Sequence, residues 1–253
     1  MFIFITSLRH PNNCNSYERI GYLLKKTLQS VCNQTNDNFK VLVVCNELPN
    51  IEVSPQVEFL VVEFPAPSKL TTPETGMGAI RIDRGSKYMA GLVFAHRYNP
   101  SFVMFFDADD YVSSQIVNHV SSHPVRSGWF VKTGYQYKYG DSCLSRLDEF
   151  HQHCGTSLIY PYDLLEVPAE LTGNSSFLSI QKHTDEKYLT LILGSHRLSV
   201  MVHRSQGHIF QPLPFTGAIW TLGNGENHSG IKGRPGTIPI TDEIRDEFSF
   251  YLT

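Results

Sequence analysis

Residues 101–113 read Ser-Phe-Val-Met-Phe-Phe-Asp-Ala-Asp-Asp-Tyr-Val-Ser. Ser101 to Phe106 is an apolar run of the kind found in strands buried on both faces of a parallel sheet, and Asn99-Pro100 ahead of it stops the preceding segment. It runs straight into Asp107, Ala108, Asp109 and Asp110, which sets three carboxylates at one sheet edge. Carboxylates so close repel one another unless a cation is bound. Hard oxygen donors of this kind suit magnesium or manganese, often shared with substrate phosphates. The plainer reading is a solvated acidic turn that starts the next helix, since Asp is a good helix-starting residue. The apolar strand and the elements upstream of it favour the cation site.

Working outward, the first half alternates strand-like and helix-like runs. Phe2 to Thr6 is a short apolar strand. The helical spacing of Ile20, Leu23, Leu24, Thr27, Leu28 and Val31 predicts a helix over Ser16 to Cys32. Phe39 to Asn46 and Val57 to Phe64 are β-branched runs bounded by polar residues. Pro65 to Gly78 reads as a long loop, and a helix is expected from about Arg84 to Arg97. Strand, helix, strand, strand, helix, strand is the order of an α/β nucleotide-binding half, whose ligands sit beyond the carboxyl ends of the strands. Asp107 falls on that edge.

The second half is less regular. Strands are expected over Trp129 to Tyr139, Ser157 to Tyr160 and Leu198 to His203, and helices over Asp185 to Leu193 and Thr241 to Tyr251. Gly223 to Gly236 holds five glycines. No clear linker appears, so the chain is expected to be one domain over 1–253.

Composition sets outer bounds. The chain has 253 residues, 41% hydrophobic and 18% charged, within the range of globular proteins rather than disordered ones. The 21 Lys plus Arg against 24 Asp plus Glu leave a net charge of −3 with no long run of either sign. That argues against non-specific nucleic-acid binding or polybasic membrane binding as the main activity. The cysteines Cys14, Cys32, Cys45, Cys143 and Cys154 form no close Cys-x-x-Cys pair, the pattern of free thiols in a reducing compartment. The N-terminus lacks a basic region ahead of its short apolar run, and no apolar stretch approaches the roughly 20 residues that span a bilayer. A cytoplasmic protein with at most peripheral contact to the inner face of a membrane is the expectation.

The apolar strand, the Asp-x-Asp-Asp turn and an upstream helix opened by Arg84, Gly85, Ser86 and Lys87 resemble the GT-A glycosyltransferases, especially glycosyltransferase family 2. The resemblance is best over residues 1 to about 120, and it implies a nucleotide-sugar-binding half (1–120) and an acceptor-binding half (121–253). It implies an α/β, Rossmann-like domain with a mostly parallel central sheet flanked by helices. It also implies transfer of a sugar from a nucleotide-diphosphate donor to a hydroxyl on a glycan or lipid-linked acceptor, with inversion. By the same resemblance, Thr6, Ser7, Leu8 and Arg9 at the first strand's end cradle the nucleotide, and Asp83, Arg84 and Lys87 sit near the base and diphosphate. Asp107 and Ala108 lie near the ribose, and Asp109, with Asp107, holds Mn2+ or Mg2+. The residue chemistry agrees: a departing nucleoside diphosphate develops charge that a metal and cationic side chains stabilise, and Arg9, Arg84 and Lys87 are candidates for the latter.

Inverting members of the family carry a base at a helix start downstream. The match here is Lys182 to Leu189 (KHTDEKYL), which offers Asp185 or Glu186 as the group that takes the acceptor's proton. An N-capping Asp followed by Glu in a first helical turn explains the same residues without chemistry. His208, more than His203, is the expected third metal ligand. His151 and His153 show no finger-like zinc spacing, and Trp129, Tyr135 and Trp220 are available to stack on sugars but more ordinary as core residues. Two other classes fit parts of the sequence. A haloacid-dehalogenase-like phosphatase would use Asp107 as nucleophile and Asp109 as acid, and a sugar-binding module would use neither catalytically.

Overall fold

The computed structural model describes residues 1–68, 76–123, 125–227, 231 and 233–251. In its first half, β1 (Phe2–Ser7), β2 (Phe39–Cys45), β3 (Val57–Val61) and β4 (Phe102–Phe105) run parallel in the spatial order β3-β2-β1-β4. Helix α1 (Tyr17–Val31) links β1 to β2, and α2 (Gly76–Ala95) leads from β3 to β4. Ser16 caps α1 by accepting from the Arg19 N–H, and the face α1 buries is the one its spacing predicts, from Ile20 to Val31. Helix α2 starts ahead of the expected Arg84 and takes in residues 76–78 of the expected Pro65 to Gly78 loop, while residues 69–75 of that loop lie outside the described residues.

The second half adds β5 (Tyr111–Val112), α3 (Ile116–Ser122), β6 (Trp129–Phe130), β7 (Thr133–Lys138), β8 (Cys143–Asp148) and β9 (Leu158–Pro161). Beyond them come α4 (Phe177–His183), a π-helical turn over Tyr188–Leu193, α5 (Ser199–Ser205), β10 (Gln211–Pro212), β11 (Ala218–Leu222), β12 (Ile238–Pro239) and α6 (Asp242–Phe248). The main sheet is completed as β10-β6-β9-β4-β1-β2-β3, with β9 antiparallel to β4 and to β6. The fold is thus the expected α/β one with a mostly parallel mixed sheet. A second sheet, β12-β8-β7-β11-β5, stands beside it.

Two expectations for the second half are corrected. Leu198 to His203 is helical rather than a strand: Ser199 and His203 share the buried face four residues apart while Met201 between them is exposed, the reverse of strand alternation. The run from Trp129 to Tyr139 is broken after Phe130, and its two parts join different sheets. Val131 at the break bonds the Ser157 carbonyl.

Alternation along β1, β2 and β4 explains the core. Phe2, Phe4, Val41, Val43 and Met104 face the α1 side, and Ile3, Ile5, Leu42, Val44, Val103 and Phe105 face the α2 side. The α1-side cluster continues into Trp129, Val131, Trp220 and Leu222, so both halves share packing. No helix among the described residues is long and apolar enough to cross a membrane.

Candidate active site

A cleft of about 460 Å³ opens where β1 and β4 end, lined by Leu8, Arg9, Asp83, Arg84, Asp107, Ala108 and Asp109. The turn after β4 sets its floor. Asp107 O accepts from the Asp110 N–H at 3.2 Å, which folds the chain back so that the three carboxylates diverge. Asp110 points inward and is buried. Its Oδ1 accepts from the Thr221 N–H at 2.9 Å, and its Oδ2 from Thr156 Oγ1 at 2.5 Å and Cys154 Sγ at 3.0 Å. Burial, then Asp109 and Asp107, push the Asp110 carboxyl well up, and burial with Asp110 pushes the Cys154 thiol up too. Thr156 Oγ1 also accepts from the Asp107 N–H at 2.9 Å, so Cys154 and Thr156 grip the turn from behind.

Helix α2 supplies the cations. Arg84 Nη2 donates to Asp107 Oδ1 and, at 3.1 Å, to Tyr88 Oη, while Tyr88 Oη donates to the Phe106 carbonyl at 3.2 Å. Burial alone would lower the Arg84 pKa; Asp107 and Tyr88 outweigh it and raise it. Gly155 makes room for this pair, since a Cβ there would lie 2.7 Å from Arg84 Nη2 and 2.9 Å from Asp107 Oδ2. Lys87 has another task than the one expected. It is wholly buried and its Nζ donates to the Leu8 carbonyl at 2.8 Å and to Asp83 Oδ2 at 2.9 Å, so it fixes the end of β1 from beneath and does not line the cleft. Thr6 is likewise buried within β1, and Ser7 lines the cleft in its place.

The glycine-rich segment after β11 forms the front of the site. Asn224 and Asn227 donate through Nδ2 to Asp109 Oδ2 at 2.6 and 2.8 Å. Glu226 accepts from the Asn15 and Ser16 N–H groups at the start of α1 and from Arg9 Nη1 at 3.4 Å. Gly223 and Gly225 take positive φ (74° and 88°), which lets the short loop turn twice and return these three side chains to one place. Sequence reading missed Asn224, Glu226 and Asn227 because Asn and Glu among glycines look like ordinary turn residues; only their spatial return to Asp109 and α1 marks them.

The remaining wall carries His153 and residues 194–197. Gly194 lies against the Arg81 carbonyl, which a Cβ would approach to 2.3 Å, so the π-helical turn delivers Ser195, His196 and Arg197 beside the start of α2. Burial, together with Arg84 and Arg197, pushes His196 down to about 4 despite Asp107 nearby.

The structure does not bring Asp185, Glu186 or His208 to this cleft. Asp185 Oδ1 accepts from the Tyr188 N–H at 2.9 Å and lines a separate pocket with Glu166, Pro168 and Tyr188, as an N-capping residue would; Glu186 is exposed beside it. His208 follows α5, its N–H bonded to the His203 carbonyl, and His203 packs on Tyr160 and Phe210. Trp220 lines the cleft from the core, whereas Trp129 packs against His119 and Tyr135 against Phe248.

Asp107 and Asp109 are the two carboxylates of the turn that line the cleft. Asp109 receives two neutral amide donors on one oxygen and no cationic side chain in contact among the described residues, and burial with the Asp107 charge pushes it up to about 6. Arg9 is the nearby cation that acts against this rise without pairing with Asp109, and a carboxylate without an ion-pair partner is a hard donor of the type Mg2+ or Mn2+ takes. Asp107, Asp110 and Cys154 also lie close enough to share an ion, but the oxygens of Asp110 are already committed to Thr156, Cys154 and Thr221.

No family model and no curated protein matches the chain. Among solved structures it is similar to S. aureus TarS 1-349 in complex with UDP-GlcNAc, at 12% sequence identity and a TM-score of 0.45, over 91% of this chain and 61% of that one. It is also similar to TarS 1-349 at 14% identity and a TM-score of 0.42, spanning 60% of that chain's length. A third is a protein assigned as a nucleotide-diphospho-sugar transferase from Desulfovibrio desulfuricans G20, at 9% identity and a TM-score of 0.36, over 87% of this chain and 80% of that one.

Proposed function

We propose that this chain is a GT-A-type glycosyltransferase that moves a sugar from a nucleoside-diphosphate sugar to a hydroxyl acceptor. The observation that carries the reading is the convergence of Leu8, Arg9, Asp83, Arg84, Asp107, Ala108 and Asp109 on one cleft beyond the strand ends, where α/β sheets bind nucleotides. In the transfer, the acceptor oxygen bonds to the anomeric carbon as the carbon–oxygen bond to the β-phosphate breaks. The bonding electrons leave with the nucleoside diphosphate, and the hydroxyl proton passes to a base. Asp107 and Asp109 would hold Mn2+ or Mg2+, which when bound supplies positive charge against the leaving diphosphate. Arg84 holds Asp107 in place from behind, and Lys87 and Asp83 hold the Leu8 carbonyl at the nucleotide end. Direct displacement with inversion is the stereochemistry proposed, with a glycan or lipid-linked acceptor met in the cytoplasm or at a membrane surface.

Calorimetric titration of nucleoside diphosphates and their sugars, with and without manganese, tests this reading. At least one sugar nucleotide is expected to bind only with the metal, and Asp109→Asn to lose that binding while the ligand-free melting temperature stays nearly unchanged. Donor affinity unaltered in Asp109→Asn would refute the metal role. Phosphate release from phosphomonoesters without any sugar-nucleotide binding would favour the phosphatase reading instead.

A further inference from the structure

The charges in the cleft do not pair off evenly. Asp107 is met by Arg84, Glu226 by Arg9, and Asp83 by the buried Lys87. The fourth carboxylate lining the cleft, Asp109, is on the same turn as Asp107, and a divalent cation held there would offset Asp109 and about one of the roughly two negative charges of a sugar nucleotide's diphosphate. Two further arginines, Arg81 and Arg197, line the same cleft and have no ion pair among the described residues. The backbone segments that carry them touch: Gly194 packs on the Arg81 carbonyl, and Arg197 follows three residues on. Arg81 is half-buried and Arg197 exposed, which puts them at the mouth rather than over the floor. Two guanidinium groups that line one cleft with no internal counter-charge offer donors to a planar or tetrahedral oxyanion.

We infer that the acceptor is anionic, carrying a phosphoryl or carboxylate group close to the hydroxyl that is glycosylated, and that Arg81 and Arg197 receive that group. This rests on the glycosyltransferase reading and deepens it by naming the acceptor's chemistry. His196, which lines the same cleft and feels Arg197, is neutral at ordinary pH and adds no charge to the wall. The contact is partly solvated, so its strength falls as salt is raised.

The test uses calorimetry on the full chain. Nucleoside diphosphates with manganese are titrated first, which examines the underlying reading alone. Glycerol 3-phosphate, glucuronate and glucose are then titrated into the saturated nucleotide–manganese complex. One of the two anionic probes is expected to bind about tenfold or more tightly than glucose. Arg81→Ala combined with Arg197→Ala is expected to erase that preference while nucleotide affinity stays within about twofold. Glycerol 3-phosphate ahead of glucuronate assigns a phosphorylated acceptor, and the reverse order a uronic acid. Equal affinities for the three probes overturn the inference and leave the donor reading standing. Nucleotide affinity that falls in step with the anion in the double variant also overturns it, because the arginines would then serve the donor diphosphate. Absence of any nucleoside diphosphate binding to the parent protein overturns both.

Discussion

Asp109 and Asp110 are neighbours in the chain and opposites in what their oxygens touch. Asp110 is enclosed by a backbone N–H, a hydroxyl and a thiol, so it ties the turn after β4 to β11 and to the Cys154–Thr156 segment. Asp109 faces the cleft with two amides on one oxygen. Asp110→Ala is expected to cost about 2–4 kcal/mol in urea unfolding, because it strands a buried N–H and hydroxyl. The sequence displays the three carboxylates as one group and locates them correctly at a strand end. It does not show which one is turned inward, since that is decided by Thr156, Cys154 and Thr221, far away in the chain. The same holds for Lys87: its type suits a diphosphate, but its position one turn after Asp83 on α2 sends it under the Leu8 carbonyl.

At the scale of elements, two short segments decide how the site is built. The π-helical turn Tyr188–Leu193 is started by Asp185 and ends against α2, which sends His196 and Arg197 into the cleft and leaves Asp185 outside it. Asp185→Ala is therefore expected to lose about 1 kcal/mol of stability through the missing cap while donor binding and turnover persist; loss of turnover with donor binding intact would return the base to this position. The loop 223–227 acts from the other side. Glu226→Ala removes the acceptor for two N–H groups of α1 and frees Arg9, and an approximately tenfold loss of nucleotide affinity is expected from calorimetry. Most strands of the first half are legible because they are continuous apolar or β-branched runs, and α1 because its apolar residues keep helical spacing. The short β8, β11 and α5 are not, because segments of a few residues with mixed faces take their form from the neighbours they pack on.

At the scale of the molecule, the α1-side cluster runs from β1 and α1 through to Trp129, Trp220 and Leu222, so the halves are expected to unfold together. A ligand held by both halves then stabilises the whole. A nucleoside diphosphate with manganese at a hundred times its Kd is expected to add about 2.7 kcal/mol. For a chain of this size that is a rise in melting temperature of about 5–10 °C, and chelation of the metal should abolish it. A rise that survives chelation would separate nucleotide binding from the two carboxylates.

The attachments of the 223–227 loop have one more consequence. Asn224 and Asn227 hold Asp109, Glu226 holds the start of α1 and Arg9, and both sets of bonds are internal to the protein. The floor is thus braced by its own bonds, and on the proposed function little conformational entropy is expected to be lost there when a donor binds. Selectivity among donors would then fall to shape, because a braced floor does not accommodate a poorly matched nucleotide by moving towards it.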